Sequence, residues 1–106
     1  MAEMGDLEGP NYSVVPEHYN GSVTAGTPVT ITHSNGTGIR SALIDNPSKG
    51  PNANPASVDV LLISFDGGTT WKSLGRGESL SITALFTDLR IDSDNGTINY
   101  EVIITG

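Results

Sequence analysis

The residues that decide the fold are Ser64-Phe65-Asp66-Gly67-Gly68-Thr69-Thr70-Trp71. A run rich in β-branched residues occupies 58–63, and a second short run begins at Trp71, so a strand is predicted on each side. Asp-Gly-Gly between two strands predicts a β-hairpin, because Gly67 and Gly68 supply the positive φ of a tight turn. The carboxylate of Asp66 is expected to accept hydrogen bonds from the turn amides, with the hydroxyls of Ser64 and Thr70 nearby.

Alternation of apolar and polar residues predicts further strands on both sides of this hairpin. Val29 and Ile31 alternate with threonines, and a turn at 34–36 is expected to form a hairpin with a strand over 37–44. Residues 79–86 and 97–104 alternate in the same way, and no window shows helical periodicity. Six or seven short strands, with a turn signal about every eight to twelve residues, predict an all-β, antiparallel β-sandwich that is jelly-roll-like.

The 106 residues are enough for one domain. We predict an extended N-terminal arm over 1–26, where glycine, proline, asparagine and acidic residues dominate, and a single β-sandwich domain over 27–106. Two interpretations of the arm stay open: a frayed terminus, or a segment that lies on a neighbouring subunit and adds a strand to a sheet edge. The apolar anchors available for such a contact are Tyr12, Val14, Val15 and Tyr19.

A second candidate contact element is the segment 46–57. It holds three prolines and no large apolar side chain, which predicts an irregular exposed loop. Exposed loops on a rigid scaffold often carry the binding function of a protein. The candidate contact residues of this loop are Asn46, Lys49, Asn52 and Asn54.

Composition excludes several functional classes. These residues include no cysteine, which excludes disulfides, thiolate chemistry and zinc–cysteine sites. Five basic residues against twelve acidic ones give a formal charge of −7 at pH 7, which disfavours nucleic acid and anionic membranes as partners. The first residues lack the basic and apolar regions of a signal peptide, and no apolar run could span a bilayer, so we expect a chain made without secretion.

Few residues have the spacing of a reactive or metal-binding site. Asp92 and Asp94 begin a stretch that resembles the start of a calcium loop, but the stretch lacks the glycine and glutamate of an EF-hand. A turn at Asn95-Gly96 is the preferred interpretation, and a weak cation between the two aspartates stays open. His18 and His33 lack the spacing of a metal pair. We therefore predict no catalytic residue, no cofactor and no metal.

The segment Ser64 to Trp71 matches the pattern Ser-x-Asp-x-Gly-x-Thr-Trp, and it resembles the Asp-box hairpin of sialidases and several unrelated β-proteins. In those families the box is a structural corner that lies away from the catalytic site. This chain has one such box and only three arginines, Arg40, Arg76 and Arg90, so it lacks the remainder of a sialidase. The resemblance implies a structural hairpin and not an enzyme.

A wider resemblance covers the C-terminal half. Residues 60–71, a Gly-Glu-Ser-Leu turn at 77–80, and the sequence Gly-Thr-Ile-Asn-Tyr-Glu-Val at 96–102 look like small β-sandwich virion proteins of tailed bacteriophages. The resemblance implies a non-enzymatic structural protein of a virus particle. In that case the chain is made in the host cytoplasm and resides on the capsid surface of the virion.

Within this family we expect a capsid decoration or cement protein, which binds the major capsid protein on the outside of the phage head and stabilises it. A homotrimer is the expected state, because repeated weak contacts sum over a symmetric lattice. Neither nucleic acid nor a membrane is an expected partner. Two alternatives stay open: a carbohydrate- or receptor-binding module of a tail or fibre, and a protein of the head–tail junction or fibre base.

Overall fold

The computed structural model describes residues 16–106, and these residues contain strands, turns and loops but no helix. A helix able to cross a membrane is accordingly not found in that range. Eight strands follow one another along the chain: β1 Pro16–Thr24, β2 Val29–Ile31, β3 Ile39–Asp45, β4 Leu61–Ser64, β5 Lys72–Leu74, β6 Ser79–Phe86, β7 Leu89–Ser93 and β8 Thr97–Thr105.

The strands form two four-stranded antiparallel sheets. The first sheet has the order β1-β8-β3-β6, and the second has the order β2-β7-β4-β5. The pairs run from the outside of the sequence inward: β1 with β8, β2 with β7, β3 with β6, and β4 with β5. The chain is thus folded like one long hairpin whose tip is the β4–β5 turn. The prediction of an all-β, antiparallel fold is confirmed.

One hydrophobic cluster lies between the inner faces of the two sheets, which makes the fold sandwich-like. Alternation along β8 explains how: Ile98, Tyr100, Val102 and Ile104 are buried, and the residues between them are not. The buried members of the cluster are Val23, Ile31, Ile39, Ala42, Ile44, Leu61, Ile63, Leu74, Leu89, Ile91, Ile98, Tyr100, Val102 and Ile104. Replacing one of the fully buried isoleucines by alanine costs about 2–5 kcal/mol in a core of this kind.

The N-terminal boundary differs from the sequence prediction. Residues 16–24, which the sequence assigned to the arm, form β1 and pair with β8 from Pro16 opposite Thr105 to Thr24 opposite Thr97. Val23 is buried and Tyr19 packs against the core from the same face of the strand. These two anchors are separated by polar residues and glycine, and they bury apolar surface only because β8 lies beside them. Residues 1–15 lie outside the described part.

The hairpin predicted around residues 34–36 is wrong. β2 belongs to the second sheet and β3 to the first, so the intervening turn carries the chain from one sheet to the other. Gly36 and Gly38 take φ values of 74° and 117° in this segment, conformations that favour glycine. Alternation locates both strands correctly, but it does not specify which partner each strand hydrogen-bonds.

Candidate assembly interface

The strand β6 forms an open edge of the first sheet. It spans eight residues, Ser79–Phe86, and pairs with β3 on one side, while no strand of the described range pairs with it on the other. Its sequence, Ser-Leu-Ser-Ile-Thr-Ala-Leu-Phe, contains no charge and no proline. Long edge strands of this kind are templates for pairing with another chain, because a row of backbone N–H and C=O groups remains available.

The other three sheet edges are protected against pairing with a further strand. β2 and β5, the edges of the second sheet, have three residues each. β1 begins at Pro16, which has no N–H to donate, and Glu17 points to the inner face opposite Ile104. Short length, proline and an inward-pointing charge are the devices by which natural sheets avoid edge-to-edge pairing. Among residues 16–106, β6 is therefore the edge best suited to accept a strand.

The inner face of β6 is also incompletely covered. Leu80 and Ile82 pack against the core but are only partly buried. Only residues 75–78 separate β5 from β6, so the short strand β5 lies on the same side of the molecule. With three residues, β5 is too short to cover the whole length of β6. An added strand beside β6 would bury more of this apolar surface.

A groove of about 700 Å³ opens where β6 ends. Its lining includes Thr32 and His33, which follow β2, and Leu85 and Phe86, at the end of β6. Gly36, Thr37, Gly38 and Thr87 complete its lining. The groove is a surface feature contiguous with the end of the open edge.

At the start of β1, Glu17 links this strand to the turn after β2. Its carboxylate accepts hydrogen bonds from the Ser34 N–H at 3.1 Å, from the Ser34 hydroxyl, and from the Tyr19 hydroxyl at 2.8 Å. These donors, the Ser34 hydroxyl first, lower the pKa of Glu17. The hydrogen bond from Tyr19 to Glu17 raises the pKa of Tyr19. Tyr19 was predicted to contact a neighbouring subunit, but it contacts its own sheet. Tyr12, Val14 and Val15 lie outside the described residues.

The loop between β3 and β4 is partly buried, in contrast to the exposed loop that the sequence predicted. Asn46 and Asn54 are 0% and 4% exposed. The Asn54 amide donates to Asn46 Oδ1 at 2.7 Å and to the Asn99 carbonyl at 2.8 Å, and its Oδ1 accepts from the Asn99 N–H at 2.8 Å. Asn46 in turn donates to the Leu74 carbonyl at 3.0 Å. These asparagines fasten the loop to β8 and β5, so they are not surface contacts.

The remaining contact residues predicted in this loop divide into two kinds. Asn52 is half-buried and donates to Glu101 Oε2 at 2.9 Å, whereas Lys49 is exposed. Arg76 holds the loop from the other side, with its Nε donating to the Asn54 carbonyl at 2.8 Å. Of the four candidates, Lys49 is the one that the structure leaves on the surface.

The corner at Ser64 to Trp71 is closed by hydrogen bonds between near neighbours. Asp66 Oδ1 accepts from the Thr70 N–H at 2.8 Å, the Thr69 N–H at 3.1 Å and the Ser64 hydroxyl at 2.8 Å. The Thr70 N–H, followed by the Ser64 hydroxyl, lowers the pKa of Asp66 to about 2. These bonds stabilise the ionised carboxylate, and they leave the corner without a group suited to proton transfer at neutral pH.

Glycine and tryptophan complete the corner. Gly67 and Gly68 have φ values of 75° and 91°, in the region that favours glycine. The Trp71 indole N–H donates to the Gly68 carbonyl at 3.0 Å, and the Trp71 side chain is half-buried. The Trp71 side chain thus packs on the turn and does not project from the surface.

The carboxylates of Asp92, within β7, and of Asp94, just after it, also accept hydrogen bonds from backbone N–H groups. Asp92 Oδ1 accepts from the Gly26 and Ser93 N–H groups at 3.1 and 2.8 Å, and Asp94 Oδ1 accepts from the Val60 N–H at 3.0 Å. No group of three or more His, Cys, Asp or Glu side chains within residues 16–106 could hold a metal ion. His18 is exposed on β1, and His33 is buried, with its Nδ1 accepting from the Asn35 N–H at 3.1 Å.

Sequence reasoning located the strand β6 but missed its role as an open edge. The signal was the absence of charge and proline over eight residues. That signal is ambiguous, because a central strand buried on both sides has the same composition. The position at the edge follows only from the pairing of β3 with β6 and β8.

No protein-family model matches this chain, and no curated protein matches it. Among solved structures, a chain from the Bacillus endospore appendages, a family of disulfide-linked pili, is similar with a TM-score of 0.50 and 17% sequence identity. The match covers 98% of this chain and 96% of that chain. At this level of identity the similarity concerns the fold.

Proposed function

We propose that this chain is a non-enzymatic structural subunit that associates with further copies of itself into a repeating assembly. The observation that carries the proposal is the β6 edge, which has eight uncharged residues, no proline and an incompletely covered inner face. The other long edge of this sheet, β1, is protected against pairing, whereas β6 is not. Pairing with another chain best explains this difference.

We further infer that the architecture is a jelly roll with eight strands. The support is the pairing of β1 with β8, β2 with β7, β3 with β6 and β4 with β5, together with the strand orders of the two sheets. This is the arrangement produced when one long antiparallel hairpin rolls into two packed sheets. Jelly rolls build particles and shells in many proteins, so the fold suits a structural subunit.

The similarity to a pilus chain supports a fibre as the form of the assembly. That neighbour comes from disulfide-linked pili, whereas the 106 residues of this chain include no cysteine. Contacts between copies of this chain would therefore be non-covalent, and hydrogen bonds along β6 would supply them. A contact between β6 and a different surface of the next copy would be heterologous, and repeated heterologous contacts give a ring or an open filament.

A pair of lysine substitutions tests this proposal. Thr83→Lys places a charge on the open edge, and Thr30→Lys makes the same change on the three-residue edge strand β2. Both threonines are exposed, so neither change should cost more than about 0.5 kcal/mol of folding free energy. We expect the wild type and Thr30→Lys to form oligomers or fibres in native mass spectrometry and electron microscopy, and Thr83→Lys to be monomeric. A monomeric wild type across micromolar concentrations would contradict the proposal.

A capsid decoration protein is the second candidate. The resemblance of residues 60–102 to phage virion proteins favours it, and so does Lys49, which is exposed on the loop between β3 and β4. In this form the chain would be a homotrimer bound to the major capsid protein on the virion surface. Sedimentation of the purified chain with phage heads tests it: binding abolished by Lys49→Glu would support this form, and no binding to heads would reject it.

A further inference from the structure

An extended, uncharged segment of another chain would complete the β6 edge. This inference rests on the proposed self-association. We propose that residues 12–15 of a second copy, Tyr-Ser-Val-Val, pair with β6 and extend the first sheet. The segment is thereby added as a fifth strand to the first sheet of a neighbouring subunit.

The composition of residues 12–15 matches the edge. The segment has no charge, two of its four residues are β-branched, and a third is aromatic, which favours the extended conformation. Pro16 follows directly and ends the run of available N–H groups. Backbone hydrogen bonds would supply affinity, and the side chains facing inward would cover Leu80 and Ile82.

The distance between Pro16 and the open side of β6 requires that the added strand come from another copy. Pro16 pairs with Thr105, Thr105 with Ser41, and Ser41 with Thr83, so Pro16 and Thr83 lie in one row across the sheet. The slot beside β6 is one strand further out, or roughly 19 Å from Pro16 at the usual strand spacing.

Residues 12–15 cannot span that distance within their own subunit. Val15 is bonded directly to Pro16, and four extended residues reach at most about 14 Å. The edge that the segment would fill and the edge from which it departs are at opposite sides of the first sheet. A segment leaving one subunit at β1 is thus placed to reach the β6 edge of the next.

Engineered cysteines test this pairing in the full-length chain, which has no native cysteine to interfere. One set of proteins carries Ser13→Cys or Val14→Cys, which point to opposite faces of an extended strand. The other set carries Thr83→Cys or Ser81→Cys, both exposed on β6, and Thr30→Cys on β2 is the matched control. Each protein of the first set is mixed with each of the second and oxidised mildly, and covalent heterodimers are measured on a non-reducing gel.

We expect at least one mixture with Thr83→Cys or Ser81→Cys to give tenfold more heterodimer than the mixture with Thr30→Cys, because paired strands bring Cα atoms within disulfide range. Equal yields with all three positions would overturn the pairing. If the wild type assembles and Thr83→Lys does not, yet no cross-link forms, the proposed function stands and this inference fails. A wild type that is monomeric under all conditions would contradict both the proposed function and this inference.

Discussion

The corner at Ser64 to Trp71 and the loop between β3 and β4 are both turns rich in polar side chains, but they are stabilised differently. In the corner, every hydrogen bond to Asp66 comes from a residue within four positions along the chain. In the loop, the amide of Asn54 bonds to Asn99, 45 positions away, and that of Asn46 bonds to Leu74, 28 positions away. A corner of local bonds can form before the sheets meet, whereas the loop is ordered only when β8 and β5 are in place.

The largest expected effect is in the loop. Asn54→Ala removes the partner of the buried Asn46 amide oxygen and of both backbone groups of the half-buried Asn99. Leaving such groups unsatisfied should lower the free energy of unfolding by about 3 kcal/mol. Urea denaturation measures the loss, and Asn20→Ala, an exposed asparagine on β1, is the control. If both variants lost less than about 0.5 kcal/mol, the loop would not depend on its distant partners.

A smaller effect is expected from adding a methyl group at the two glycines of the corner. Both have positive φ, so alanine at either position should cost about 1 kcal/mol of backbone strain. A Cβ on Gly67 meets open space, but a Cβ on Gly68 lies 3.4 Å from Trp71 Cζ2 and 3.8 Å from Arg90 Nη1. Because both distances are ordinary van der Waals contacts, Gly68→Ala should cost about the same as Gly67→Ala, or about 1 kcal/mol. A clearly larger loss of melting temperature for Gly68→Ala would show that Trp71 or Arg90 does not accommodate the added methyl group.

The smallest effect at neutral pH concerns the charge of Asp66. Its pKa is lowered to about 2, so its stabilising contribution is complete above its ordinary pKa of 3.8 and disappears as the pH falls toward 2. The unfolding free energy of the wild type should fall more steeply between pH 4 and pH 2 than that of Asp66→Asn, whose side chain does not titrate. Parallel pH profiles for the two proteins would mean that the hydrogen bonds do not favour the ionised form.

The same contrast explains what the sequence predicted. The turn glycines, Asp66 and the flanking strands are visible in eight consecutive residues, because each determinant contacts its neighbours in the chain. Asn46 and Asn54 looked like exposed loop residues, since asparagine and proline are typical of surface turns. Nothing nearby in the sequence indicates that β5 and β8 supply a carbonyl and an amide to these side chains.

The strand β1 was missed for a related reason. Tyr19 and Val23 have the spacing of one strand face, but glycine and acidic residues around them favour an irregular segment. The antiparallel pairing with β8 along nine residues overrides that weak local preference. The turn after His33 was located correctly, yet the strands on either side of it joined different sheets.

By itself, the sequence determined the secondary structure class and the positions of most turns. Alternation with a period of two fixes which side chains point inward, and glycine fixes where the backbone can reverse. Only the tertiary structure decided which strands became neighbours, which asparagines were buried and which edge was left open. These features depend on contacts between residues far apart in the chain, and a pattern of neighbouring residues does not specify such contacts.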